Sequence, residues 1–203
     1  MRESDHAIEN SWLISAVPAA SKVDALAALS ILPKASLEQR HTFSVVVDGE
    51  RLEIPYRIYN PEADDAQVRT LSPRQQVVVR CLYTRHNDGF VRERNLAQVI
   101  SESELWVVPY VVQLVGEYVI EILLTIERGL RELNTPRSDQ RERYGQFVVE
   151  NPAYFELIGK RVTSYWNCYY RFQFPRQTDY PGSALVAMLR SAGDDYKTGH
   201  QAL

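Results

Sequence analysis

Cysteine is scarce in this 203-residue chain, which carries only Cys81 and Cys168. The two residues stand alone in apolar stretches, and neither belongs to a C-x-x-C spacing. A secreted disulfide framework needs more cysteines, and a structural zinc site needs closely spaced ligands. The scarcity therefore argues against both kinds of protein, and the sequence predicts two buried free thiols.

Neither sign of charge is in clear excess, since 23 lysines and arginines stand against 26 acidic residues and give a formal net charge of -3. The strong cationic excess typical of a polyanion-binding domain is missing. With 45% hydrophobic and 24% charged residues, the composition is that of an ordinary globular protein. A chain of this length buries a core without disulfides, so we expect a single domain over residues 1–203.

An uninterrupted membrane-spanning run is also missing. The longest apolar stretch, residues 106–130, carries Glu117 and Glu121 near its middle. A membrane helix needs about 20 predominantly apolar residues, and each carboxylate at the bilayer centre costs roughly 2.5 to 3.5 kcal/mol. The first residues, MRESDHAIENSW, are acidic where a secretory signal is basic. The sequence thus predicts no membrane insertion and a cytoplasmic location.

Signatures of catalysis are few. The chain has no histidine between His86 and His200, so the Glu-x-x-His motifs of di-iron bundles are missing. It has no glycine-rich phosphate loop and no convincing arrangement of Ser, His and Asp. We predict no cofactor and no metal, and the enzyme alternative reduces to Glu117 and Glu121 acting as an acid and base pair.

What the chain does contain is a change from β-strand to helical patterns. Residues 42–47 and 51–59 are rich in strand-forming side chains and are joined at Asp48-Gly49, a strong signal for a hairpin. Helical spacing with start signals at Ser72-Pro73 and Asn151-Pro152 dominates the remainder. The predicted class is mostly α (α+β), with a helical body of about five to seven helices and a small N-terminal β-hairpin. The predicted segments are N-terminal helices in 1–40, the hairpin in 41–60, the helical body in 72–192 and a frayed tail in 193–203.

A polar row crosses the apolar stretch. The pattern predicts one helix from Pro109 to about residue 133, on which Gln113, Glu117 and Glu121 share a row. The row has three interpretations: a stripe facing solvent, a buried seam paired with arginines, or a catalytic or metal site. Unpaired buried carboxylates are rarely tolerated. As a hypothesis, the seam is buried and held by arginines of the preceding helix pair, with the candidates Arg80, Arg85 and Arg92.

Arginines concentrate in that helix pair, VRTLSPRQQVVVRCLYTRHNDGFVRERNLAQVI. The candidate binding residues in it are Arg85, Asp88, Arg92 and Arg94. Two helices joined by a tight glycine-containing turn also suit a helix-turn-helix, whose second helix faces a DNA groove. The side chains that would then face the groove are Arg92, Arg94, Asn95 and Gln98. Nucleic-acid binding through residues 72–103 is therefore an alternative to a solvated or ion-paired face.

The segment DGFVRERNLAQVI resembles the second helix of a HEAT-type repeat, whose pattern is an Asp, then Val-Arg, a small residue and a later Leu. The resemblance covers this one helix pair and rests on Asp88, Val91, Arg92 and Val99. It implies a stack of helix pairs in which the Asp and the Arg tie neighbouring turns together. It also implies an exposed face that binds proteins.

Aromatic residues crowd into residues 151–182, next to several cations. Helical spacing predicts a core row at positions 154, 158, 162, 165, 169 and 172. Trp166 and Tyr170 lie on another side of the helix, one turn apart, and Arg171 and Arg176 are near in sequence. These four residues are candidates for a binding surface. The alternative is a second packing interface inside the protein.

Together these patterns predict a macromolecule-binding protein, in the first place one that binds another protein through its arginine-rich and aromatic surfaces. Inhibitors and immunity-type proteins belong to this class. The alternatives are nucleic-acid binding through residues 72–103 and an enzyme that uses Glu117 and Glu121.

Overall fold

The computed structural model describes residues 10–38 and 40–200. Within them the predicted class is confirmed, because most residues are helical and one antiparallel hairpin of two strands is present. The nine α-helices of the described residues exceed the predicted five to seven. The predictions for residues 1–9 and 201–203 lie outside the described residues.

Within the single domain predicted over residues 1–203, the chain divides into two compact units at the bond between Val99 and Ile100. Unit 1 ends at Val99 and contains the hairpin, and unit 2 begins at Ile100 and is helical in the residues that the structure describes. Each unit has its own buried apolar residues, such as Leu52 and Leu82 in the first and Val111 and Leu189 in the second.

The described part of unit 1 contains two short 3-10 helices, Ser11–Ala16 and Ala19–Ser21, ahead of its regular elements. Its regular elements follow in the order α1 (Lys22–Ile31), β1 (Thr42–Val47), β2 (Glu50–Pro55), α2 (Asp65–Thr70), α3 (Pro73–Tyr83) and α4 (Gly89–Val99). Helix α3 packs against both α1 and α4, and β2 packs against the first 3-10 helix.

The hairpin confirms the predicted turn. Asp48 and Gly49 both have positive φ, at 50° and 76°, and Val47 pairs with Glu50 across the two-residue loop. This geometry suits the right-handed twist of the strands, and Asp-Gly is among the pairs that adopt it best. Along β1, Phe43, Val45 and Val47 are buried in alternation with more exposed residues.

Helix α2 is absent from the prediction, which places no element between the hairpin in 41–60 and the helical body that begins at residue 72. Asp64 caps this helix, since its carboxylate accepts a hydrogen bond of 2.7 Å from the backbone of Ala66. Val68 is the buried residue that attaches the helix to unit 1. A six-residue helix is too short for its periodicity to be recognised in a polar stretch.

Unit 2 contains α5 (Val108–Val115), α6 (Ile120–Gly129), α7 (Asp139–Glu150), α8 (Pro152–Tyr165) and α9 (Pro181–His200). Short 3-10 helices cover Leu105–Val107, Arg131–Asn134 and Gln177–Asp179, and a π-helix covers Trp166–Tyr170. All eight residues of α5 are buried, and α6, α7, α8 and α9 each pack against it. The first half of the apolar stretch that resembles a membrane span thus forms α5, the central helix of unit 2.

The single long helix predicted from Pro109 to about residue 133 is wrong. The chain leaves the helix at Gly116 and re-enters one at Ile120. Helix α8 passes close to this break, because a Cβ on Gly116 would lie 3.1 Å from Cδ1 of Ile158. Gly116 therefore stands where α8 leaves little room for a side chain, and the hydrophobic periodicity of the sequence carries no sign of the break.

The last helix is longer than predicted. Helix α9 extends to His200, whereas the sequence predicts the end of the helical body at residue 192 and a frayed tail from residue 193. Its second half lies on α7, where Arg141 forms an ion pair of 2.7 Å with Asp195. Ala192 and Gly193 are buried in the same contact. Packing against α7 thus extends the helix beyond the last strongly apolar residues.

Among residues 10–38 and 40–200, no helix combines the length and the hydropathy that crossing a membrane requires.

Candidate functional site

Helix α8 passes directly into the π-helix, and this changes which aromatic rings face solvent. A π-turn holds one residue more than an α-turn, so it rotates the following side chains by about 100°. Upstream of it, Ile158 and Val162 are buried as predicted. Tyr169, inside the π-helix, is 64% exposed, and Phe172, just after it, is 102% exposed, so their assignment to the core is wrong. Cys168 is exposed for the same reason, whereas Cys81 is buried as predicted.

The rotation turns Tyr170 inward. Its ring stacks on that of buried Tyr180 with the centroids 5.1 Å apart, and Phe174 contacts both rings. Its hydroxyl donates a hydrogen bond to the carbonyl oxygen of Tyr118 and interacts with the backbone of Ile120, at the start of α6. Burial and the nearby Glu121 carboxylate raise the pKa of Tyr170. Tyr170, predicted as a binding residue, therefore joins α8 to α6.

The other three predicted binding residues of this segment also make contacts within unit 2. The half-buried Trp166 donates its indole N–H to the carbonyl oxygen of Phe174 over 2.9 Å. The guanidinium of Arg171 lies 5.7 Å from the Trp166 ring centroid, a cation–π contact. Arg176 pairs with Asp179 at 2.9 Å. Both arginines remain exposed and can contact a partner.

Three tyrosines form a cluster on the outside of unit 2. The rings of Tyr118, Tyr165 and Tyr169 contact each other pairwise, with centroid separations of 5.7, 5.8 and 6.1 Å. Tyr118 lies in the break between α5 and α6 and is 51% exposed. Phe172 follows Tyr169 by about one turn. We call these four residues the aromatic surface. Sequence reasoning missed it because neither the break nor the π-turn has a periodic signal.

The predicted polar row is divided by the same break. Gln113 is 2% exposed and accepts a hydrogen bond of 2.8 Å from the hydroxyl of Tyr154. Glu117 lies just beyond the end of α5 and is 4% exposed. Glu121 is exposed in the first turn of α6. Gln113 and Glu117 are thus buried, and the assignment of Glu121 to the same buried seam is wrong because the break changes the helical phase.

The two glutamates should differ sharply in their effect on stability. We expect Glu117→Ala to lower the free energy of unfolding by about 2 kcal/mol or more. The substitution removes a buried carboxylate and leaves the polar groups around it without their partner. We expect Glu121→Ala to change it by less than about 1 kcal/mol, as is usual for an exposed residue. Urea unfolding of both variants beside the wild type measures the difference. Equal losses would contradict the division of the row.

In unit 1 the arginines of the helix pair mostly bind backbone. Arg85 is fully buried and donates to the carbonyl oxygens of Pro55 at 3.3 Å and Tyr56 at 3.1 Å. Arg92 is 3% exposed and donates to the carbonyl oxygens of His86 and Asn87 at 2.9 and 3.0 Å. These contacts hold the chain after β2 and the turn before α4. The prediction that Arg85 and Arg92 offer surface charge is therefore wrong.

The remaining candidates of the pair are exposed. The Asp88 carboxylate accepts a hydrogen bond of 2.8 Å from the backbone of Phe90 and so begins α4. Arg94 forms an ion pair of 2.6 Å with Glu62, which raises the pKa of the Arg94 guanidinium. Asn95, which a helix-turn-helix would direct at DNA, is buried and accepts a hydrogen bond from Arg80. These bonds of Arg80, Arg85 and Arg92 lie within unit 1 and involve neither Glu117 nor Glu121.

Comparisons of the chain with protein-family models, with curated proteins and with solved structures each find no match.

Proposed function

We propose that this chain binds another protein and that the aromatic surface lies at the centre of the contact. The exposure of Phe172, about one turn from the exposed Tyr169, carries the proposal, because a group of exposed rings is typical of an interaction site, whereas isolated exposed rings are common on any protein. Tyrosine and other large rings also supply much of the binding energy in protein interfaces.

The arrangement of the tyrosines supports the same role. Tyr118, Tyr165 and Tyr169 restrain each other through ring contacts, so these side chains lose little rotamer freedom when a partner binds. The base of the surface is held by Tyr170, whose hydroxyl is bonded at the start of α6. Rigid aromatic anchors of this kind favour tight binding.

A second surface, in unit 1, is favoured by a separate observation. Phe90 is 78% exposed in the first turn of α4, next to the exposed Asp88 and one turn from Arg94. This turn belongs to the segment that resembles a HEAT-type repeat, whose exposed face binds proteins. We therefore propose it as the alternative docking surface.

Two matched substitutions test whether the partner binds the aromatic surface of unit 2 or the first turn of α4 in unit 1. Immobilised wild-type chain should retain a specific partner from cell extract at physiological salt. Phe172→Asp should reduce the retained amount at least tenfold, because it places a charge in the apolar centre of the contact. Phe90→Asp, an identical change at another exposed ring, should leave it unchanged. Circular dichroism should show that both variants are folded.

If only Phe90→Asp reduces the amount of retained partner, the contact lies on unit 1 instead. Retention by Phe172→Asp and by Tyr169→Asp would exclude the aromatic surface. A partner that nuclease treatment removes from the wild-type chain would identify nucleic acid as the ligand instead of protein.

A further inference from the structure

Helices α8 and α9 enclose a groove of about 550 Å³ on a part of unit 2 for which the proposed function has no use. This volume lies in the range of about 300 to 1,000 Å³ that is typical of small-molecule sites. Its apolar lining includes Gly159, Val162 and Val186. Gly159 keeps the groove open, since a Cβ there would lie 3.9 Å from Cγ1 of Val186 and would occupy free space.

The groove carries an exposed cation that forms no ion pair among the described residues. Arg190 lines it, and across residues 10–38 and 40–200 this guanidinium has neither a hydrogen bond nor an ion pair. The other cation in the lining, Lys160, is paired with Glu156 at 2.7 Å. Arg190 is therefore the group that attracts an anion to this groove, and its planar fork suits bidentate contact with a carboxylate or a phosphate.

Neutral hydrogen-bonding groups lie at the other end of the lining. The side-chain amide of Gln177 donates to the hydroxyl of Thr163 over 3.0 Å. Ser183 also belongs to the lining, and its hydroxyl oxygen is buried with no hydrogen-bond partner among the described residues. Ser183 stands in the first turn of α9, where the helix dipole adds positive potential. An exposed, unpaired cation and an apolar floor thus share one groove with Ser183, whose hydroxyl has no partner among the described residues.

We propose that the groove binds a small organic anion, with its oxyanion group on Arg190 and its apolar body against Val162 and Val186. The proposal is independent of protein binding by the aromatic surface, because no residue of that surface lines the groove.

Phenyl phosphate and benzoate are suitable probes because each joins an oxyanion to an apolar ring. Titrating either into the full chain should shift the backbone amide resonances of Gly159, Ser183 and Ala187 in a saturable manner. Inorganic phosphate and phenol, the separate halves of phenyl phosphate, should each bind at least tenfold more weakly. Arg190→Gln should weaken phenyl phosphate at least tenfold, whereas Arg190→Lys should keep part of the affinity.

Arg131→Gln is the matched control, since it makes the same substitution at an exposed arginine of unit 2 that lies outside the lining. It should change the affinity less than twofold. Equal weakening by Arg131→Gln and Arg190→Gln, or shifts that do not saturate with either probe, would overturn the proposal. Phe172→Asp should leave the probe affinity unchanged, so failure of the anion site and failure of the proposed protein contact are distinguishable.

Discussion

Replacing Arg85 with alanine is expected to lower the free energy of unfolding of unit 1 by about 3 to 5 kcal/mol. Arg85 is the largest of the fully buried side chains, so truncation leaves a cavity in the core. It also removes the donors for the carbonyl oxygens of Pro55 and Tyr56. The lost volume and the lost hydrogen bonds affect the same place, where the residues after β2 contact the residues after α3.

Two further variants show whether lost volume or lost hydrogen bonds cause the destabilisation. Arg85→Met keeps much of the volume and loses the hydrogen bonds, so it should fall between the wild type and Arg85→Ala. Arg74→Ala, an exposed arginine of the same α3, should change stability by less than about 0.5 kcal/mol. Urea unfolding gives the energies, and hydrogen exchange should show lost protection in residues 40–99. A loss below about 1 kcal/mol for Arg85→Ala would show that Arg85 does not stabilise unit 1.

Gly145→Ala is expected to destabilise unit 2 by about 2 to 3 kcal/mol, although alanine favours helices over glycine. A Cβ at this position in α7 would lie 2.4 Å from the carbonyl oxygen of Ala192 and 2.9 Å from its carbonyl carbon. These atoms belong to the backbone of α9, so the two helices must move apart to accommodate the methyl group.

Gly159→Ala serves as the control, because the same substitution in α8 meets only Val186 at 3.9 Å. There the helical preference should dominate and stabilise the chain by up to about 1 kcal/mol. Thermal unfolding of both variants should give shifts of opposite sign. Two shifts of the same sign would contradict the close contact between α7 and α9.

The elements that sequence reasoning placed correctly have local causes. The hairpin turn follows from two residues that tolerate positive φ, and β1 matches its predicted bounds. Helix α3 begins at Pro73 as predicted, because Ser72 and Gln75 form a reciprocal capping box. Such signals act over a few residues, and so they can be recognised in the sequence without knowledge of what packs against them.

The candidate sites were less predictable, since the direction of a side chain depends on distant parts of the chain. Tyr169 and Tyr170 are adjacent, and one π-turn decides which of them faces solvent. Glu117 and Glu121 match one helical row until the chain leaves the helix at Gly116. Arg85 looks like surface charge until the carbonyl oxygens at the end of β2 are placed beside it.

The sequence by itself determined a mostly helical chain with one β-hairpin, because the capping residues, the turn residues and the hydrophobic periods are local properties. Only the tertiary structure decided which arginines are buried, where the central apolar stretch breaks and which rings form the aromatic surface. Each of these depends on atoms that are distant in sequence and close in space. Burial of charge and helical phase are set by such neighbours, and a single sequence contains no pattern that identifies them.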